Sequence, residues 1–335
     1  MRLEYPLHRS RRTRRTPWVR NMVQETDLSV RNLILPLFVR RGIGSREIID
    51  TMPNVYRYTP DQLLLVCEQA ANLGIPAVAL FPYIDPEHKD REGSGAIDPL
   101  GLIPTVVQDI KSRLPQLGVI CDVALDPYTD HGQDGIPDEQ GYLQNDLTVR
   151  QLVLMSQVLV EAGCDILAPS DMMDGRIGHI RRMLETGHGS KVHAMIMSYS
   201  AKYASSFYAP FRDAVGSGLA LGKTDKRQYQ MDPSNTDEAL REVEMDINEG
   251  ADMVMIKPGL PYLDIVRRVK DTFNYPTFVY HVSGEYSMLR AAHLTGYLDY
   301  DKTSWEVMQS FRRAGADGIL TYCALDIAQR LNARW

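Results

Sequence analysis

The sequence predicts a (β/α)8 TIM barrel with an extended N-terminal arm, and three observations carry that prediction. Eight short apolar runs recur along the 335 residues, each suited to a strand buried on both faces. They are Leu33–Val39, Ala77–Phe81, Val119–Leu125, Asp165–Ala168, Ala194–Tyr199, Met253–Lys257, Thr277–Val282 and Gly318–Tyr322. Amphipathic helical stretches lie between most of them, at 60–73, 101–114, 147–162, 174–187, 236–249, 261–273 and 303–314. Several strands are entered through one phrase, a helix end followed by glycine: Leu73-Gly74, Ala162-Gly163, Glu249-Gly250 and Ala314-Gly315. Glycine there suits a left-handed C-cap, and a capped helix followed by a strand, repeated, is the βα unit. A doubly wound open sheet is the rival, but it usually has fewer strands, and no G-x-G-x-x-G is present.

Two segments lie outside a minimal barrel. Residues 1–30 read as an arm for oligomer contacts, leaving 31–335 as the catalytic barrel. The stretch 203–235 is too long for a plain connector, and its aromatics (Phe207, Tyr208, Phe211, Tyr229) suit an ordered active-site lid. Charge is uneven. The formal net charge is −6, yet residues 1–20 hold seven arginines and a single acid, Glu4, a balance of +6 that leaves −12 on the remainder. The acidic body argues against a nucleic-acid binder, although an arginine-rich end alone would suggest one. Cys67, Cys121, Cys164 and Cys323 are far apart and form no C-x-x-C, so they read as buried thiols of a reduced compartment. No 18-residue apolar run exists, so no membrane span is expected. The N-terminus lacks the apolar stretch of a secretory signal, and Pro6 and Pro17 spoil the amphipathic helix of a transit peptide. A cytoplasmic enzyme is the expectation.

In such barrels chemistry sits at the C-terminal ends of the strands. Reading those ends in order gives Asp126, Asp130, His131 and Asp134; then Ser170, Asp171 and Asp174; then Lys202, Lys257, Ser283, Glu285, Tyr286 and Tyr322. Lys257 is the most informative, because four apolar residues precede it. Burial and a second nearby ammonium both depress a lysine pKa, and a neutral amine attacks carbonyls to form a Schiff base. A rim lysine paired with a carboxylate is the plainer reading of one lysine. Two lysines on adjacent strands, Lys202 and Lys257, bring Schiff-base chemistry level with it. Arg212, Lys226 and Gln230 on the long loop suit a carboxylate clamp, against the commoner case of a solvated charged loop. Asp126 and Asp134 suit an amine, acid–base work or a hard cation, against ordinary turn chemistry. Their spacing does not match an EF-hand.

These residues stand in strings that resemble the porphobilinogen synthase (delta-aminolevulinic acid dehydratase) family: 198–205 (SYSAKYAS), 208–213 (YAPFRD), 229–233 (YQMDP), 254–259 (VMIKPG), 282–286 (VSGEY), 168–175 (APSDMMDG) and 313–317 (RAGAD). The resemblance runs from about Arg9 to Arg330. It implies a tetrapyrrole-pathway enzyme that condenses two molecules of 5-aminolevulinate into porphobilinogen with loss of two waters. It implies that Lys257 holds the acetyl-side substrate and Lys202 the propionyl-side one, each as a Schiff base. Arg212, Lys226 and Gln230 would grip the first carboxylate, and Ser283 and Tyr322 the second, with Tyr199 and Ser170 in the same pocket. Relatives use an N-terminal arm to embrace a neighbouring barrel, giving dimers that assemble into a homo-octamer. A basic arm on an acidic partner surface would be complementary, so loss of residues 1–20 is expected to lower the assembly state.

The departure from the family concerns metal. Zinc-dependent relatives carry C-x-C-x7-C after the third strand, where this chain has Ala124, Asp126 and Asp134. The soft thiolates that select zinc are gone, so no active-site Zn²⁺ is expected, and Asp126 and Asp134 are expected to act directly or through a monovalent or hard divalent ion. The resemblance also implies an allosteric Mg²⁺ at Glu242, where a single carboxylate and several waters suffice. An aldolase-type Schiff-base barrel acting on a sugar phosphate is the alternative, but Ser283-Gly284-Glu285 places an acid where phosphate would bind. A catalytically silent barrel used for assembly was the third reading.

Overall fold

The structure, a computed structural model, describes residues 4–186, 189–221 and 225–333. Residues 1–3, 187, 188, 222–224, 334 and 335, at the edges of the expected arm, fourth helix, lid and barrel, lie outside the described residues. Eight parallel strands close on themselves: β1 (Leu33–Val39), β2 (Ala77–Pro82), β3 (Gly118–Val123), β4 (Ile166–Pro169), β5 (Met195–Lys202), β6 (Met253–Lys257), β7 (Thr277–His281) and β8 (Gly318–Thr321), with β8 pairing β1. All eight apolar runs are strands. They are buried almost throughout, from the BBBBBBB pattern of β1 to the BBBB of β8, because helices cover the sheet outside and side chains fill it inside.

The seven expected helices are present within a few residues of their expected ends, for example Pro60–Asn72 and Leu102–Arg113. The helix ends are set by the glycines. Gly250 and Gly315 cap their helices at φ +104 and +110, a conformation costly for any residue with a Cβ.

Three features differ from expectation. Lys202 is the last residue of β5 and not part of a following loop. The stretch 203–235 is built of short pieces, a 3-10 turn at Ser206–Tyr208 and the helices Ala209–Ala214 and Gly218–Leu221. A hairpin of Arg46–Ile48 and Tyr56–Tyr58 extends the sheet beside the end of β1, pairing Phe38 with Arg57 and Val39 with Tyr58. The helices Ser283–Leu294 and Ala324–Asn332 complete the outer layer.

The arm is the opposite of the barrel. Residues 4–27 have no buried side chain. Their side-chain hydrogen bonds stay mostly within the arm, Arg9 to the Tyr5 hydroxyl, Arg12 to Leu7 O and Arg20 to Arg14 O. Tyr5, Leu7, Trp18 and Met22 are exposed beside the arginines.

Candidate active site

The two lysines meet because of an irregularity. The β5–β6 register runs Met197 to Met253 and Ser198 to Val254, then shifts, so that Ala201 pairs Ile256 and Lys202 pairs Lys257. One extra residue in β5 therefore brings the two amines level at the barrel mouth, a common use of a bulge beside a site. Both side chains are 5% exposed. Tyr203 N–H donates to Lys257 O at 2.9 Å and Met231 N–H to Lys202 O at 3.1 Å, tying both strand ends to the loop that follows.

Their surroundings differ. Lys257 Nζ lies 4.6 to 5.3 Å from the ring centres of Tyr280, Tyr199, Phe211 and Tyr208. It makes no ion pair among the described residues. Burial in this aromatic cage, then repulsion from Lys202, lowers its pKa to about 7. An ordinary lysine is neutral in roughly one molecule in 10³ at pH 7; the cage shifts Lys257 strongly toward the neutral, nucleophilic amine. Lys202 stands among carboxylates and dipoles. Its ammonium donates to Ser170 O and lies 3.7 Å from Asp134 Oδ2.

Asp126 and Asp134 share a cation. Lys226 Nζ lies 3.1 Å from Asp126 Oδ2 and 3.1 Å from Asp134 Oδ1. Burial would raise the Asp134 pKa, but Lys202 and Lys226 overcome it and hold it down at about 2. Asp126 goes the other way, raised by burial despite Lys226. The sequence offered Lys226 as a clamp for a substrate carboxylate. In this structure it neutralises two buried protein carboxylates instead, which would otherwise be strongly destabilised.

The other candidates fall around the same mouth. Arg212 sits on the Ala209–Ala214 helix, lines the cavity between the lysines and makes no ion pair among the described residues. Gln230 lines it too, 4% exposed, with Oε1 lacking a hydrogen bond. Ser283 Oγ accepts from Phe211 N–H at 2.9 Å, joining the lid to the end of β7. Tyr322 lies one ring farther out, its hydroxyl 2.7 Å from that of Tyr280 and its ring stacked on Phe38. Tyr199 belongs to the cage and Ser170 to the Lys202 side. The cavity between the lysines is small, about 20 Å³. That is room for a water.

A family-wide profile described as delta-aminolevulinic acid dehydratase matches residues 7–330. A delta-aminolevulinic acid dehydratase of Bradyrhizobium diazoefficiens is 54% identical over 326 residues, covering 97% of this chain and 91% of the relative. One from Rhodobacter capsulatus is 48% identical, covering 98% of each chain. The chain belongs to the delta-aminolevulinic acid dehydratase family. It is an enzyme of that family, also called porphobilinogen synthase. The fold agrees: the Toxoplasma gondii delta-aminolevulinic acid dehydratase, solved in complex with the reaction product porphobilinogen, superposes with TM-score 0.95 at 45% identity, covering 98% of this chain and 92% of that one.

Within this dehydratase site one central residue escaped sequence reasoning. Asp122 on β3 lines the cavity with both lysines. Burial pushes its carboxyl up to about 7, although Lys257 and Lys202 pull it down. Its Oδ1 is buried without a hydrogen bond. A lone carboxylate inside an otherwise apolar strand was the available signal. Cys121, next to it, is buried against Cys164 with its thiol pushed up.

Glu242 lies outside the mouth, on the Asp237–Glu249 helix. It lines a separate cavity of about 350 Å³ with Asp174, Glu238 and Arg227. Burial raises its pKa to about 7; Arg176 lowers it, while Asp246, Asp174 and Glu238 raise it further. Among the described residues no three His, Cys, Asp or Glu side chains converge on one point. Glu242 thus shares its cavity with other carboxylates and with the Arg227 guanidinium.

Proposed function

We propose that the protein condenses two 5-aminolevulinate molecules to porphobilinogen with loss of two waters, through Schiff bases on Lys202 and Lys257, as a cytoplasmic step of tetrapyrrole (heme) biosynthesis. The observation that carries this reading is the Lys202–Lys257 register at the barrel mouth, with two amines in unlike surroundings. A single lysine would serve an aldolase. Two paired lysines suit two ketones held face to face, which removes much of the entropy cost of a bimolecular step.

The geometry supports the following roles. Lys257, its pKa lowered by burial in the aromatic cage, attacks the acetyl-side ketone as the neutral amine. Lys202 takes the propionyl-side ketone; Asp134, 3.7 Å away and held low, stays ionised and holds the ammonium, while Asp126, whose pKa burial raises, is the proton acceptor of the pair. Asp122, poised near 7, carries protons between the two half-sites. Arg212 and Gln230, on the lid, grip one carboxylate; Ser283 and Tyr322 grip the other. Lys226 joins the first grip when the lid reorganises around substrate. A cavity of about 20 Å³ cannot take 5-aminolevulinate, so the lid opens to admit it.

Asp126 and Asp134, already bridged by Lys226, handle the substrate amine without a zinc ion; a monovalent cation could share that place. Glu242, with Asp174 and Glu238 in the same cavity, would hold an allosteric Mg²⁺, which would supply positive charge among these acids. The exposed arm, basic and studded with Trp18 and Leu7, embraces a second copy, building dimers toward a homo-octamer, so its removal lowers the assembly state.

The deciding experiment adds 5-aminolevulinate to the purified protein. Porphobilinogen forms, and sodium borohydride with substrate inactivates the enzyme and adds mass at Lys202 or Lys257. Turnover with no adduct on either lysine contradicts the Schiff-base route.

A further inference from the structure

The hairpin beside β1 carries a buried cation with a specific set of partners. Arg57 is 7% exposed. Its Nε donates to Ala214 O at 2.7 Å and its Nη2 to Asp213 O at 2.6 Å. Its Nη1 is held by Glu47, on the other strand of the hairpin, and its guanidinium lies 4.6 Å from the ring centre of Tyr83. Asp213 and Ala214 are the last residues of the Ala209–Ala214 helix. Arg57 therefore reaches across 156 residues to bind the carbonyl end of that helix, where positive charge is favoured.

Other contacts converge on the same turn. Thr51 Oγ1 donates to Asp213 Oδ2 at 2.8 Å, and Lys89 Nζ to Gly216 O at 3.1 Å. Gly216, at φ +67, packs so closely on Tyr83 that a Cβ would come within 2.7 Å of its ring. So residues 213–216 are clasped from β1's hairpin and from the β2 loop. Arg212 is the next residue back along the chain. A helix of six residues has almost no stability of its own. The direction in which Arg212 points is thus set by whatever holds the turn that follows it.

We propose that Arg57 is a positioning residue: it latches the short lid helix over the barrel mouth and thereby aims Arg212 at the substrate carboxylate. This rests on the reading of Arg212 as a carboxylate grip. It gives the hairpin a function beyond the Ile49 and Met52 side chains that its loop buries in the core: the hairpin adds a buried guanidinium to the rim. The guanidinium suits the place because its planar fork presents parallel N–H groups to two adjacent carbonyls in a fixed geometry, whereas an ammonium is a point charge on a flexible stem.

A double-mutant cycle tests it. Arg57→Met, Arg57→Lys, Arg212→Met and the combined Arg57→Met/Arg212→Met proteins are compared for kcat, the KM for 5-aminolevulinate and thermal midpoint. Arg57→Met is expected to raise KM by on the order of 10-fold, the scale of one lost charged hydrogen bond, with a smaller change in kcat. Arg57→Lys recovers part of that loss. In the Arg212→Met background, adding Arg57→Met changes kcat/KM by less than about twofold, because the group it aimed is gone. If the full Arg57→Met penalty persists in that background, Arg57 acts through general stability and the proposal is overturned. An Arg212→Met protein with unchanged KM would instead sink the grip reading itself. Should Arg57→Met fail to fold, the same cycle is run with Arg57→Lys, and an additive result there is equally fatal.

Discussion

Lys202 and Lys257 are register partners on neighbouring strands, yet they stand in two different solvents. Around Lys257 are four aromatic rings and, among the described residues, no ion partner. Around Lys202 are a backbone carbonyl, Asp134 and, through it, Lys226 and Asp126. The difference teaches how one pocket distinguishes two copies of one substrate. An apolar cage makes its lysine a ready nucleophile by refusing its charge. A carboxylate cluster accepts charge and moves protons. On the proposed two-lysine reading, chemically equal substrates meet unequal half-sites and give an asymmetric product.

The largest effect expected is the loss of either amine. Lys257→Ala and Lys202→Ala should each lower kcat by on the order of 10⁴-fold or more, the scale of removing a covalent nucleophile. The two variants sharpen the comparison, because borohydride should still trap substrate on whichever lysine remains. Stopped-flow pyrrole formation and peptide mass analysis read both outcomes. Full turnover in either variant breaks the two-lysine account.

Asp122 lies between the half-sites, and Asp122→Asn tests whether they communicate. Turnover is expected to fall by about 10² to 10⁴, as for loss of an acid–base group. Its carboxylate holds the Lys257 pKa up, so removing that charge should move the Lys257 trapping midpoint to lower pH. A midpoint moving to higher pH would be the wrong sign.

The smallest effect is remote from both lysines. Glu242→Gln should abolish stimulation by added Mg²⁺, seen as a flat activity against metal concentration, while both lysines still trap substrate. Loss of trapping in this variant would mean that Glu242 belongs to the catalytic half-sites after all.

Much of this was legible in the sequence for a simple reason. Parallel strands buried on both faces are short unbroken apolar runs, and Gly250 or Gly315 marks where a helix must turn back. Lys257 stood out because its strand is otherwise apolar. What stayed hidden depends on contacts between distant segments. The strands of the hairpin are three residues each, and most of their side chains are partly or fully exposed, so no periodicity reveals them. The β5 bulge that aligns Lys202 with Lys257 leaves no trace in composition. The pairing of Lys226 with Asp126 and Asp134 was not legible because those partners are 92 or more residues away in the chain. Asp122 was passed over as part of an apolar strand, although a carboxylate there has to be explained.

The most direct test of the account is the pH dependence of borohydride trapping at Lys257, read by peptide mass at short times. Only the neutral amine attacks, so trapping should rise with pH through about 7 and level off above it. Trapping that is negligible at pH 8 and still climbing at pH 10, as for an ordinary lysine, would contradict the claim that the aromatic cage makes Lys257 the nucleophile.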